Sequence, residues 1–461
     1  MKVVLSCLLL FLAAVAQALS ATGNRLLSIW EDLDDQKSYT KFLGDLESRG
    51  YQISHASPKQ DNLKLEHLGE RNYDHIVFFP IKSKGLGPNL TAKQLLDFMK
   101  TGGNILVALS STQAVPTALN SALLELDIHL PAERTGLVVD HFSYDVSSAA
   151  DKHDVLLLQT PPQYKPGTKN YFGSDNKNDV IAFPRAVGHI LGDGAQLTPV
   201  VKAPRTAYLY NEKEQSEVVD EVFASGEQLA LVSVFQARNS ARFLVIGSAE
   251  TLQDKWIDAK VQRPGEKESV KTWNGEFAKR ISGWTFHEIG HLRVNSVEHQ
   301  SALLGNVSNP GIYRVTSEAT YSISISEWAW DRWVSFEVPA EDELQLEFSM
   351  LSPFQRLELQ RQKSTSTEEG LYSVTFMIPD HHGVFNFLTN YKRPFLTNVE
   401  EKRTVTVRHL AHDEFDASYE IHAAWPYLTS IAVTCCGWLL FVALWLFNKP
   451  QKQADVTKKT Q

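Results

Sequence analysis

Two histidines and a glutamate, in His287-Glu288-Ile289-Gly290-His291, stand at the spacing by which one class of zinc hydrolase holds its metal. On a continuous helix the two imidazoles would lie one turn apart and bind zinc, with the Glu288 carboxylate as general base. That chemistry needs a third ligand and a helix that continues through His291. The longer metzincin form fails, because Val294 stands where that pattern has Gly and Val297 where it has His. Gly290, followed by β-branched Val294 and Val297, instead predicts a helix ending and a strand beginning. Glu298 or Glu318 could still complete a ligand set. A membrane-anchored zinc hydrolase built on His287, Glu288 and His291 is therefore the alternative function.

Other constellations carry less. Asp380-His381-His382 is followed by Gly383 and flanked by alternating segments, the pattern of a turn between strands. Glu31-Asp32 follows the first apolar run, where a dinucleotide site would need G-x-G-x-x-G. Ser110-Ser111 lack the G-x-S-x-G frame of a nucleophile elbow and read as turn or cap residues. The three cysteines are Cys7, Cys435 and Cys436, all in terminal apolar stretches. The region between them thus has neither a Cys nucleophile nor a Cys-ligated zinc, and it folds without disulfides. A net charge of -9, with no basic cluster, argues against nucleic acid as partner. The expectation is no catalytic, cofactor-binding or metal site.

The elements that would position these residues change character along the chain. Leu26 to Trp30, Ile76 to Phe79 and Ile105 to Leu109 are compact apolar runs of buried-strand type. Between them Tyr39, Phe42, Leu43 and Leu46 recur at helical spacing before Gly50. Thr91-Ala92-Lys93-Gln94 has capping-box form ahead of Leu95, Leu96 and Met99. Leu229 to Phe235 and Phe243 to Ile246 predict a hairpin or paired strands, and Phe277 to Phe286 a last helix. This alternation predicts an α/β domain over residues 19–299, flavodoxin-like or Rossmann-like, with an open and largely parallel sheet. Beyond it the period becomes two, at Tyr321, Ile323 and Ile325, at Leu344, Leu346, Phe348 and Met350, and at Tyr372, Val374, Phe376 and Ile378. An all-β sandwich over residues 300–424 is expected, with a polar loop from Arg361 to Gly370.

The ends read as targeting segments. Lys2, the apolar run Val3 to Val15 and Ala16-Gln17-Ala18 form a secretory signal peptide over residues 1–18. Trp425 to Phe447 carries no charged side chain and is long enough to cross a bilayer as a helix. Lys449, Lys452, Lys458 and Lys459 follow it, so the positive-inside rule places the tail, 448–461, in the cytosol. A type I single-pass protein with its bulk in the lumen is predicted. Lys458 and Lys459, fourth and third from the end, resemble the di-lysine retrieval signal of the endoplasmic reticulum. Asn89-Leu90-Thr91 and Asn306-Val307-Ser308 are N-glycosylation acceptors, about what chance supplies.

Blocks spread along the chain carry a family resemblance. Gln236-Ala237-Arg238-Asn239-Ser240-Ala241-Arg242 with Gly247-Ser248, then Trp284-Thr285-Phe286 with Leu292-Arg293-Val294, are two of them. Others are Gln345-Leu346-Glu347-Phe348 with Pro353-Phe354 and Arg356, Pro379-Asp380 with Gly383-Val384-Phe385, and Trp425-Pro426-Tyr427. Together they resemble the forty-eight-kilodalton, non-catalytic subunit of the eukaryotic oligosaccharyltransferase complex, whose fungal members are called wheat-germ-agglutinin-binding protein. The resemblance implies membership of a fungal type. It implies a complex that transfers a preassembled oligosaccharide from dolichol diphosphate to Asn in Asn-x-Ser/Thr sequons, with catalysis by a multispanning subunit. Further implied partners are a ribophorin II-like subunit, a defender-against-death-type small subunit and, for donor recognition, the dolichol-linked oligosaccharide. It also makes His287 and His291 incidental. Topology alone would equally suit a lumenal cargo receptor or chaperone.

Overall fold

The computed structural model describes residues 19–60, 63–132, 136–176, 178–210, 223–305, 307–363, 367–415 and 424–449. The signal peptide, Asn306, Lys458 and Lys459 lie outside the described residues.

The first half is built on a seven-stranded sheet. Its strands are β1 (Arg25–Ile29), β2 (Gln52–Ala56), β3 (His75–Phe78) and β4 (Asn104–Ala108), then β7 (Leu197–Lys202), β8 (Ala230–Gln236) and β9 (Arg242–Ile246). A separate antiparallel pair, β5 (Val155–Gln159) and β6 (Val180–Pro184), lies between β4 and β7 in the chain. The spatial order is β7-β8-β9-β4-β3-β1-β2, with β9, β4, β3, β1 and β2 parallel and β8 antiparallel to both its neighbours, β9 and β7. The expected hairpin is the β8–β9 pair.

The apolar runs are buried on both faces because consecutive side chains point to opposite sides of the sheet. Leu26, Val77, Leu106 and Leu244 enter one core. Their neighbours Leu27, Ile76, Ile105 and Phe243 enter the other. Helices cover each side: α1 (Thr40–Ser48) places Phe42 and Leu46 in the first core, as does α4 (Asn274–Thr285) with Phe277 and Ile281. The second core receives α2 (Ala92–Lys100) through Leu95 and Phe98, and α3 (Thr117–Glu125) through Leu119 and Leu123. Thr91 and Gln94 close the anticipated capping box on α2.

Apart from a short 3-10 turn at His412–Glu414, the described elements of the second half before the last helix are all strands. One five-stranded sheet comprises β10 (Ile289–Ser301), β12 (Glu318–Ala329), β13 (Arg332–Ser335), β16 (Gln360–Arg361) and β17 (Gly370–Met377). The other comprises β11 (Ile312–Arg314), β14 (Gln345–Met350), β15 (Ser352–Glu358), β18 (Gly383–Tyr391) and β19 (Val399–Arg408). Tyr321, Ile323 and Ile325 of β12 share one apolar core with Leu346 and Phe348 of β14 and Phe385 and Phe387 of β18. The expected boundary between residues 299 and 300 falls inside β10, which pairs with β12 from Ile289 onward. The switch of period that marks the second half is weak there, because β10 alternates burial irregularly along its length. Asp380, His381 and His382 occupy the loop between β17 and β18, as the following glycine implied.

The last described element is α5 (Ala424–Leu446), one helix of 23 residues with mean hydropathy 2.0. Its length and composition suit a membrane span.

Candidate functional site

The zinc motif is taken apart by secondary structure. Helix α4 ends at Thr285 and β10 begins at Ile289, so His287 and Glu288 sit in the connection between them. His287 has φ +60 and Gly290 φ +66, two left-handed residues that turn the chain sharply. The imidazoles still meet, with His287 Nδ1 3.0 Å from His291 Nδ1. Two nitrogens in that contact hydrogen-bond each other, one donating and one accepting. Burial, reinforced by the Arg242 guanidinium, pushes His287 well below the usual imidazole range and His291 down to about 4. Both are neutral at physiological pH.

Glu288 faces away from this pair. Its Oε1 accepts from Tyr51 Oη at 2.6 Å and from Arg49 Nη1 at 2.7 Å, and the side chain is fully buried. Burial, together with the Glu288 charge, raises the Tyr51 phenol well above its ordinary value, so it remains a donor. A carboxylate held this way is one end of a buried ion pair and lacks the freedom to serve as a base. No group of three or more potential metal ligands exists among the described residues. The zinc hydrolase reading is therefore not supported, and Glu298 and Glu318 complete no site.

What converges here is a junction between the two halves, and its centre is Arg242. This fully buried side chain, first residue of β9, donates from Nη1 to the carbonyls of Trp284 at 2.5 Å and Ile289 at 2.8 Å. Nη2 donates to Gly290 O at 2.7 Å. The guanidinium also lies 4.6 Å from the Trp284 ring centroid. The indole in turn donates to Phe395 O at 2.8 Å. Segment 394–399 of the sheet-rich half is held further by Gln236 Nε2, which donates to Leu396 O (2.5 Å), and by the Asn398 amide, which donates to Ser240 Oγ (3.1 Å). Tyr171 Oη donates to Glu327 Oε1 at 2.6 Å, and Lys169 pairs with the same carboxylate. The block Gln236 to Arg242 is thus a clamp. Sequence reasoning found the block but missed this role, because its partners lie more than forty residues away.

A separate cleft encloses about 710 Å³. Leu157, Phe172, Val201 and Phe395 form apolar walls, with Pro161 and Pro199 beside them. Lys202 and Arg263 line it together with Glu227 and Glu266, so its charge is balanced. Its walls suit an apolar or amphiphilic ligand. No sequence signal marked it.

The remaining expected sites are scattered. Asn89 is half-buried in the loop before α2, and Thr91 of its sequon is the exposed cap of that helix. Ser110 and Ser111 follow β4, where Ser110 Oγ bonds Thr112 Oγ1 at 2.9 Å, a turn contact. Glu31 accepts from Ser83 Oγ at 2.6 Å.

Comparison with known proteins shows two family models matching in tandem: "OST48, N-terminal domain" over residues 17–288 and "OST48 middle domain" over residues 298–449. Among similar proteins is the dolichyl-diphosphooligosaccharide–protein glycosyltransferase subunit wbp1 of Schizosaccharomyces pombe. It is 33% identical over 436 residues, covering 93% of each chain. The 48 kDa subunit of the same enzyme from Arabidopsis thaliana is 27% identical over 431 residues, covering 93% of this chain and 94% of that one. The Saccharomyces cerevisiae subunit WBP1 is 28% identical over 458 residues, covering 98% of both. A solved ThuA-like protein from Parabacteroides merdae matches with TM-score 0.29 and 12% identity, over 57% of this chain and 89% of that chain. That superposition is too loose to fix a fold.

Proposed function

This chain belongs to the OST48 family, and from that premise we propose that it is an accessory, non-catalytic subunit of oligosaccharyltransferase acting by binding. The enzyme named for its relatives is dolichyl-diphosphooligosaccharide–protein glycosyltransferase. In this reading the complex moves a preassembled oligosaccharide from dolichol diphosphate to Asn in Asn-x-Ser/Thr sequons. The observation that carries it is the end-to-end match, two family models in tandem across a chain whose most recognisable block is a domain clamp.

The finer parts of the proposal rest on separate supports. The protein is a type I endoplasmic reticulum membrane protein: residues 1–18 a cleaved leader, 19–299 and 300–424 lumenal, 425–447 the span, 448–461 a cytosolic tail retrieved through Lys458 and Lys459. Hydropathy and the lysines after the span support this. The parallel order β9-β4-β3-β1-β2 supports a flavodoxin-like or Rossmann-like first domain. Two sheets over one core support a β-sandwich second domain. The partners are the catalytic multispanning subunit, the ribophorin II-like subunit and the small defender-against-death-type subunit. Contact with the lipid-linked donor is best placed at the cleft walled by Leu157, Phe172, Val201 and Phe395.

Purification in mild detergent, followed by identification of the co-purifying chains, tests the proposal. The catalytic subunit should be recovered, and its absence sinks the reading. Depletion should leave sequons under-occupied across many secreted glycoproteins. A cargo receptor would instead delay a few clients at normal occupancy.

A further inference from the structure

The first described residues, Leu19 to Thr22, lie across the junction of the two halves and bond to both. Leu19 N–H donates to Arg49 O at 3.1 Å, at the C-terminal end of α1. The carbonyl of the same residue accepts from Trp328 Nε1 at 2.5 Å, and Trp328 belongs to β12. Two residues on, Ala21 N–H donates to His287 O at 3.2 Å. Ser20 Oγ lies 3.3 Å from His75 Nε2, the side chain of a buried strand residue.

Several bonds here have small residues at the positions a leader peptidase reads: those after Ala16, Ala18, Ser20 and Gly23, with Ala14, Ala16, Ala18 and Ala21 respectively two residues before. Cleavage after Ser20 would discard both Leu19 bonds and the Ser20 contact. Cleavage after Ala16 or Ala18 keeps all of them, but only the cut after Ala18 makes the Leu19 nitrogen at Arg49 O the chain terminus. We propose that the leader is cut between Ala18 and Leu19 and that the freed Leu19 end is a strap fastening the α/β half to the sheet-rich half. This rests on the reading of residues 1–18 as a cleaved leader.

In the step, a membrane endopeptidase that removes leaders adds water across the Ala18–Leu19 amide. The C–N bond breaks, the water oxygen stays with Ala18 as a carboxylate, and the Leu19 nitrogen leaves as an amine protonated to ammonium. That ammonium stays beside Arg49 O, where the carbonyls ending α1 carry partial negative charge and favour a cation. Cleavage therefore makes the end that the junction is shaped to hold. Trp328 supplies the bond from the other half.

Sequencing the N-terminus of the full chain, purified in detergent within its complex, distinguishes the outcomes. A start at Leu19 supports the proposal. A start at Ala21 or beyond overturns the strap while leaving the leader reading intact, and a start at Met1 overturns the leader reading itself. Trp328→Phe keeps an aromatic ring and removes the donor. Hydrogen exchange at the Ala21 amide should then quicken at least tenfold, with the unfolding temperature falling by about 2–4 °C. Exchange at Ala21 unchanged from the parent chain overturns the strap even if the N-terminus is Leu19.

Discussion

Arg242 and Trp284 form one unit: the guanidinium stacks 4.6 Å from the indole and donates to the carbonyl of the same tryptophan. Through the indole N–H the pair also reaches Phe395 in the other half of the molecule. One cation thus organises the end of a helix, the start of a strand and an inserted loop. Substituting Arg242→Ala removes the guanidinium donor from the buried carbonyls of Trp284, Ile289 and Gly290, leaving Trp284 O with the His287 amide and Gly290 O with the Thr397 amide. The expected loss is about 3 kcal/mol of stability, seen as a lower urea midpoint of the lumenal region. Arg242→Lys should recover little, since one ammonium cannot reproduce the fork.

Gly290 sits at φ +66, and a Cβ there would stand 2.5 Å from Phe395 O. Neither backbone can yield without opening the junction. Gly290→Ala should cost about 2–4 kcal/mol, from left-handed strain and the clash together. Limited proteolysis near residue 395 should accelerate in the same variant.

Glu288→Gln removes the charge that Arg49 and Tyr51 share, leaving Arg49 with Asp45 as its remaining ion-pair partner. A destabilisation of about 2 kcal/mol is expected, because the buried cation is left with only the part-exposed Asp45 carboxylate. Metal analysis of the purified chain should find no stoichiometric zinc, and His287→Ala should leave sequon occupancy at the parent level. Bound zinc together with loss of function in that variant would revive the hydrolase.

Acid should weaken the first half through its neutral histidines. Burial lowers His75 and His189 each to about 4, against an ordinary value of 6.5. Above pH 6.5 neither the folded nor the unfolded chain protonates them, so stability is complete. Between pH 6.5 and about 4 the unfolded chain takes up the proton first, and each histidine subtracts about 1.4 kcal/mol per pH unit. A plot of unfolding temperature against pH should fall through that window and flatten for His75→Gln by one histidine's share.

Short range explains which elements were legible. The runs Leu26 to Trp30 and Ile105 to Leu109 mark strands because burial on both faces demands uninterrupted apolar residues, and the strands lie within one residue of those bounds. Thr91 and Gln94 are three residues apart, so a capping box can be read directly. Gly290 and the valines after it likewise announced that the helix stops before His291. β10 is less legible in a local window, because its partner, β12, begins at Glu318. A strand defined by its neighbour is invisible to a local window.

The sequence by itself determined the apolar ends, the change from helical to alternating period and the blocks that identify the family. Each is a local property of composition or spacing. Only the tertiary structure decided that His287 and His291 face each other while Glu288 turns to Arg49 and Tyr51, 239 and 237 residues away. It alone showed Arg242 as the clamp between the halves. The physical reason is that a buried charge needs partners wherever the fold brings them, and residues adjacent in a motif can be sent to different partners by two left-handed backbone positions.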